Sequence, residues 1–178
     1  MVRELMGRLS RSDLEAALAF VAEAAEAASQ HERADPWLLE RLARLLDAEL
    51  VEYGQLDAAS RVLQTSVYPA SIAHDERSAV PIAERNPFCD YRDRIGDPYL
   101  RAVRLSDVLG PETGRLGGAF AGWDGVSAIQ MRMPGPSGTH WTLDLERDGR
   151  DFSDRDVRLV DAIRPAFIAY EAQRRLTM

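Results

Sequence analysis

Twice along this chain the apolar residues fall into strict alternation, and those two stretches constrain the fold more than anything else in the sequence. In the first, Val51, Tyr53 and Gln55 face one way while Leu50, Glu52, Gly54 and Leu56 face the other. Turn chemistry at Asp57-Ala58-Ala59-Ser60 follows, and Val62 to Tyr68 resumes the extended pattern. Residues 50–68 are therefore expected to form an antiparallel hairpin, ended by Pro69. In the second stretch, Ile129, Met131 and Met133 alternate with Ala128, Gln130 and Arg132. Pro134-Gly135-Pro136-Ser137-Gly138 turns the chain, and Trp141, Leu143 and Leu145 return on one face. A lone hairpin is marginal in water, so both are expected to share one antiparallel sheet whose apolar face is covered by helices.

Helical signals surround the hairpins. Ser10 with Asp13, or Ser12 with Glu15, has the spacing of a capping box at the start of a first helix. Leu14, Leu18, Val21, Ala25 and Ala28 then recur as an apolar stripe, thin enough for close helix–helix approach. Asp35-Pro36 opens a second helix, with Trp37, Leu38, Leu42, Leu45 and Leu46 as its expected buried side. The last helix is the best signalled. Ser153 is its N-cap, Asp156 completes a capping box, and Phe152 and Val157 occupy the two positions of a hydrophobic staple. Val157, Val160, Ile163, Phe167 and Tyr170 form its stripe, and Pro165 is expected to kink it into a docking half and a projecting half. Between the hairpins, residues 69–125 form a proline- and glycine-rich excursion, with short helices expected around 82–93, 97–101 and 111–121. The order predicts an α+β fold in which helices pack on one face of an antiparallel sheet. Residues 1–30 are read as an N-terminal dimerisation or signalling helix, and residues 31–178 as the domain proper.

The composition narrows the possible chemistry. The 178 residues carry 29 acidic and 22 basic side chains, a net charge of −7, which argues against nucleic-acid binding by this chain alone. No apolar run approaches the ~20 residues of a membrane span, and the N-terminus lacks the apolar stretch of a secretory signal. A single cysteine, Cys89, suits a reducing cytosol and is read as a small buried apolar residue. His31, His74 and His140 are scattered without metal-ligand spacing, and His74 and His140 are expected to be exposed. No glycine-rich phosphate loop is present. The carboxylate pairs Asp144/Glu146 and Asp154/Asp156 are read as structural, at a strand edge and a helix cap. No catalytic residue, metal site or cofactor is expected. The better site candidates are the aromatics in or beside the excursion: Tyr68, Phe88, Tyr91, Tyr99, Phe120 and Trp123. They can line a small-molecule pocket, apolar with a few polar groups, or fill a second small core.

Taken in order, several segments carry a resemblance. SRSDLEAALAFV opens the chain and LLDAELVEYGQLD enters the first hairpin; ERNPFCDYRD, VRLSDVL and FSDRDVRLVDAIRP follow at matching spacing. Together they resemble the N-terminal GAF-like sensory domain of bacterial LuxR-type helix-turn-helix transcriptional regulators. The resemblance implies a GAF/PAS-like fold in which the excursion frames a small-molecule site, with the six aromatics around it. It also implies a cytoplasmic regulator that passes a signal through its terminal helices. In that family a helix-turn-helix module follows, opening with a Leu-Thr pair. Leu176-Thr177 stands at that point, so DNA contact is expected only through a C-terminal module outside this sequence. The glycine-rich run from Gly114 to Trp123 departs from the family pattern. The alternative is a protein interaction or dimerisation module whose pocket is filled by its own side chains. A GAF-fold methionine sulfoxide reductase is disfavoured, because that chemistry uses several cysteines.

The thin face of the first helix and the length of the last predict a homodimer built from the terminal helices. Light scattering is expected to give a mass near twice the 19.8 kDa of one chain; a clean monomer at tens of micromolar contradicts this.

Overall fold

A computed structural model describes residues 9–28, 36–57, 59, 61–71, 87–97, 99, 101–109 and 126–177. Helix α1 (Arg11–Ala28) and α2 (Pro36–Leu46) lead into strands β1 (Leu50–Leu56) and β2 (Val62–Tyr68). The excursion contributes α3 (Pro87–Ile95), the short strand β3 (Val103–Arg104) and α4 (Leu105–Leu109). Strands β4 (Val126–Pro134) and β5 (His140–Asp148) then precede the long helix α5 (Asp154–Thr177). The five strands form one antiparallel sheet in the order β2-β1-β5-β4-β3, so both expected hairpins are present and meet through the β1–β5 pairing.

Register assigns every side chain to a face. Val51 and Tyr53 lie level with Leu145 and Leu143, which in turn lie level with Ile129 and Met131. This apolar face, with Met133 and Trp141, packs against α1, α2 and α5 to make the main core. The two short helices α3 and α4 cover the β3–β4 side of the opposite face, where Phe88, Val103, Leu105 and Ala128 form a second, small core.

The capping signals are realised. The Ser153 amide donates to Asp156 Oδ2 at 2.8 Å, and the Asp156 amide to Ser153 Oγ at 3.3 Å. Ser10 and Asp13 repeat the arrangement at the start of α1, with bonds of 3.0 and 3.1 Å, so the first of the two candidate capping boxes is used. Arg155 of α5 donates through Nε to Asp13 Oδ1 at 2.8 Å, tying the two helix starts together and holding the Asp13 carboxyl below its usual range.

Four local expectations need correction. The buried side of α1 is Asp13, Ala17, Phe20 and Ala24, whereas Leu18 is 68% exposed. The Phe20 ring lies 5.7 Å from that of Phe167, and this contact together with the Asp13–Arg155 pair turns the helix away from the Leu18 phase. In α2, Leu39 and Ala43 are buried, while Trp37 is largely exposed. Helix α5 runs on through Pro165, and Phe167, Tyr170 and Glu171 beyond it are buried, so the docked part extends past the proline. In the excursion, residues 97 and 99 are non-helical; the 111–121 helix lies outside the described residues.

The corrected phase of α1 makes a direct prediction. Phe20→Ala should cost about 3–5 kcal/mol in urea unfolding, and Leu18→Ala no more than ~0.5 kcal/mol. The reverse ranking would mean that Leu18 faces the core.

Candidate functional site

The face of the sheet opposite the main core is buried but polar. Three cross-strand rows run over it. The first joins His140 of β5 to Leu56 of β1. In the second, Arg132, Thr142, Gly54 and Thr65 follow one another across β4, β5, β1 and β2. In the third, Gln130, Asp144, Glu52 and Val67 follow in the same way. Successive rows on one face are about 7 Å apart, twice the rise per residue. The second row is low: its middle is a glycine flanked by two threonines. A methyl group added at Gly54 would meet nothing closer than 3.4 Å, the Gln64 carbonyl. The row is thus a shallow furrow between two taller ones, ending at Arg132.

Helix α3 brings Arg92 down onto this face, where it is 1% exposed. Arg92 donates through Nη2 to the Gln130 carbonyl at 3.1 Å and through Nε to Gln130 Oε1 at 3.4 Å. The Gln130 amide nitrogen in turn donates to Asp144 Oδ1 at 2.8 Å. Burial, reinforced by Arg132 and Arg164, pushes the Arg92 guanidinium down to about 10. Burial also pushes Asp144 up to about 7; Glu52 and Glu146 add to the shift, and the bonds from Gln130 and Thr142 oppose it. Thr65 donates to Glu52 Oε1 at 3.1 Å.

At the furrow's end, Arg132 is 6% exposed and donates through Nη2 to Cys89 Sγ at 3.3 Å. Its buried Nε has no hydrogen-bond partner, and neither has the buried Nε2 of His140. Burial, with Arg132 second, pushes His140 down to about 4, so the ring is neutral at ordinary pH. Most buried polar groups in folded proteins are paired, and those that are not call for an explanation.

These residues correct the sequence reading in two places. His140 is buried rather than exposed. Asp144 lies on the central strand β5, not at a strand edge, whereas Asp156 is the helix cap expected of it. Alternation alone placed Gln130, Arg132 and Thr142 on the face opposite the core. It carried no sign that this face is also covered.

Four of the six candidate aromatics fall among the described residues, and the structure does not bring them together. Phe88 is wholly buried in the second core, and Tyr91 packs at its edge with Arg94 over its ring at 5.5 Å. Tyr99 is largely exposed, its carbonyl held by Arg164 at 3.1 Å. Tyr68 sits on the opposite face of the sheet, against the main core. Phe120 and Trp123 lie outside the described residues. Tyr91 also borders a cleft of about 280 Å³ between the β3–α4 segment and α5, with Arg101, Arg158 and Asp161 among its walls. There the Ala102 amide donates to Asp161 Oδ1 at 2.7 Å. Among the described residues, no group of three or more His, Cys, Asp or Glu is arranged to hold a metal ion. No described helix is long and apolar enough to cross a membrane.

The charge on Asp144 has a measurable consequence. Between its ordinary value of 3.8 and about 7, the unfolded chain releases this proton while the folded one keeps it. Its contribution to stability therefore falls as pH rises through that window. Asp144→Asn should be near neutral at pH 4 and increasingly stabilising relative to wild type up to pH 8, in urea titrations at each pH. A difference that is constant with pH would contradict the assignment.

No protein-family model matches this sequence, and no curated protein sequence matches it. Solved structures do. The chain superposes on the VqsR ligand-binding domain from Pseudomonas aeruginosa with a TM-score of 0.58, at 16% identity over 90% of this chain and 96% of that one. It superposes on CepR2 from Burkholderia cenocepacia, an N-acylhomoserine lactone dependent LuxR family transcription factor, with a TM-score of 0.56. That match has 12% identity and covers 90% of this chain and 98% of the other. A GAF domain/HD domain protein from Geobacter sulfurreducens follows with a TM-score of 0.47, at 12% identity over 86% of this chain and 93% of that one. The α+β fold implied by the sequence resemblance is the fold observed, and it is shared with the VqsR ligand-binding domain and with CepR2.

Proposed function

We propose that this chain is a regulatory sensor domain. In this reading a small molecule binds on the polar sheet face, and its presence is passed through the terminal helices to a DNA-binding module outside this sequence. The domain works without catalysis, as a homodimer in the cytoplasm. One observation carries the reading: a covered sheet face that keeps Arg92, Arg132, His140 and Thr142 buried where a purely structural core would be apolar. Arg132 Nε and His140 Nε2 are buried there without a partner, which costs stability, so such a face is understandable if a ligand completes it. The fold shared with the VqsR and CepR2 domains supports the same reading.

Strand alternation supplies a route for the signal. Glu52, Thr142 and Asp144 on the polar face are chain neighbours of Tyr53, Trp141 and Leu143 on the core face. Tyr53 stacks on Trp141 with ring centres 5.1 Å apart, and its hydroxyl donates to Glu171 Oε1 of α5 at 2.9 Å. A ligand that shifts β1 against β5 therefore moves groups bonded to α5.

The second reading, an interaction module with a self-filled pocket, draws on the small core of Phe88, Val103, Leu105 and Ala128, which already occupies the β3–β4 side of this face.

A thermal-shift screen separates the two. A compound at ~100 times its dissociation constant stabilises the folded state by roughly 2.7 kcal/mol, or about 5–10 °C for a domain of this size. Thr142→Val, which removes a hydroxyl from the furrow and its bond to Asp144, should lower the starting stability by about 1–3 kcal/mol and abolish the shift measured from that variant's own unliganded melting temperature. Shifts untouched by this variant would move the site elsewhere, and a broad screen without any shift favours the interaction module.

A further inference from the structure

We propose that the ligand of the polar face is a small organic acid, its anionic group paired with Arg132 and its body lying along the furrow over Gly54 between Thr142 and Thr65. This inference rests on the sensor reading above and specifies the chemistry of its signal.

The charges point to an anion. Arg132 is 6% exposed, and its described contact is the Cys89 sulfur, a weak acceptor, at 3.3 Å. Its Nε, the donor that lies alongside Nη in a two-point grip on a carboxylate, has no hydrogen-bond partner. Among the described residues, no carboxylate forms an ion pair with it. Arg92 lies close enough to be disfavoured by the Arg132 charge, and His140, also near Arg132, is held neutral with an unpartnered Nε2. Basic groups thus converge on one buried spot. A bound carboxylate would take up the free Nε donor and relieve the repulsion between the two guanidinium groups.

The row geometry indicates what extends from that group. Arg132, Thr142, Gly54 and Thr65 lie on consecutive strands, at the ~4.8 Å spacing of neighbouring strands, so the floor runs about 14 Å from end to end. Its two hydroxyls and missing side chain suit a slender body better than a bulky ring. Glu52 borders the same floor in the next row and would repel a second anionic group placed there, which favours a single anionic end.

The test uses the whole chain, straight-chain monocarboxylates from butyrate to octanoate, and their primary amides as neutral isosteres. Sodium chloride at equal ionic strength is the control. At least one acid should raise the melting temperature by roughly 5–10 °C at saturation, with its amide and chloride giving less than a third of that. Arg132→Met should weaken the acid at least tenfold in calorimetry while leaving the unliganded melting temperature unchanged or higher, because it removes a buried guanidinium. Gly54→Val, whose Cβ has room, should fold and also lose binding. Equal shifts by acid and amide, both lost in Gly54→Val, would overturn the acid while leaving the sensor reading standing. Shifts matched by chloride, retention of acid binding in Arg132→Met, or unfolding of that variant would overturn the acid too. If neither the acids nor a broad neutral screen shifts the protein, both readings fall.

Discussion

The long last helix must lie flat across one face of a five-stranded sheet, and buried polar contacts pin it near both of its ends. Near its start, Arg147 of β5 reaches the Arg150 and Asp151 carbonyls at 2.8 and 2.9 Å and the Leu46 carbonyl of α2 at 3.2 Å. The same guanidinium lies 3.9 Å over the Phe152 ring. Beyond Pro165, Tyr53 binds Glu171, and Phe167 fits against both Tyr53 and Phe20. With α5 fixed, the position of α1 follows from Asp13 and Phe20, and one face of the sheet is closed with apolar contacts. The opposite face is left as the place where polar groups can be gathered.

That division of labour makes the sheet a two-sided device. A period of two means that no residue on the polar face is more than one peptide from a residue of the core. Small shifts in the β1–β5 pairing are therefore felt by Tyr53 and Trp141, and through them by α5. Packed interiors respond to such shifts by discrete rearrangement rather than smooth deformation, the behaviour that the proposed sensor reading asks of α5. The polar face carries a cost: Arg92, His140 and Asp144 are held where water is scarce, and their titration is displaced accordingly.

Much of this was legible in the sequence, and the gaps have physical causes. The hairpins and both capping boxes were readable because they depend on neighbours within a few residues. The α5 stripe was readable because its apolar residues are large and lie on one side. The phase of helix α1 is not legible because alanine dominates it, so the choice between Leu18 and Phe20 falls to a tertiary contact, the Phe167 ring. The burial of His140 and the central place of Asp144 are not legible, because alternation tells which face a side chain takes and not what covers or flanks it. The polar face is not legible for the same reason. Its strand residues Gln130, Arg132 and Thr142 look like a solvent face until α3 is placed above it.

The claim that the sheet grips α5 beyond its proline is tested most directly by hydrogen exchange of α5 in Tyr53→Phe. Losing a buried bond to a carboxylate should cost about 1–3 kcal/mol. Exchange should therefore quicken across residues 166–173, while residues 156–163, held by the capping box and Arg147, keep their protection. Unchanged exchange, or uniform loosening of the whole helix, would contradict the account.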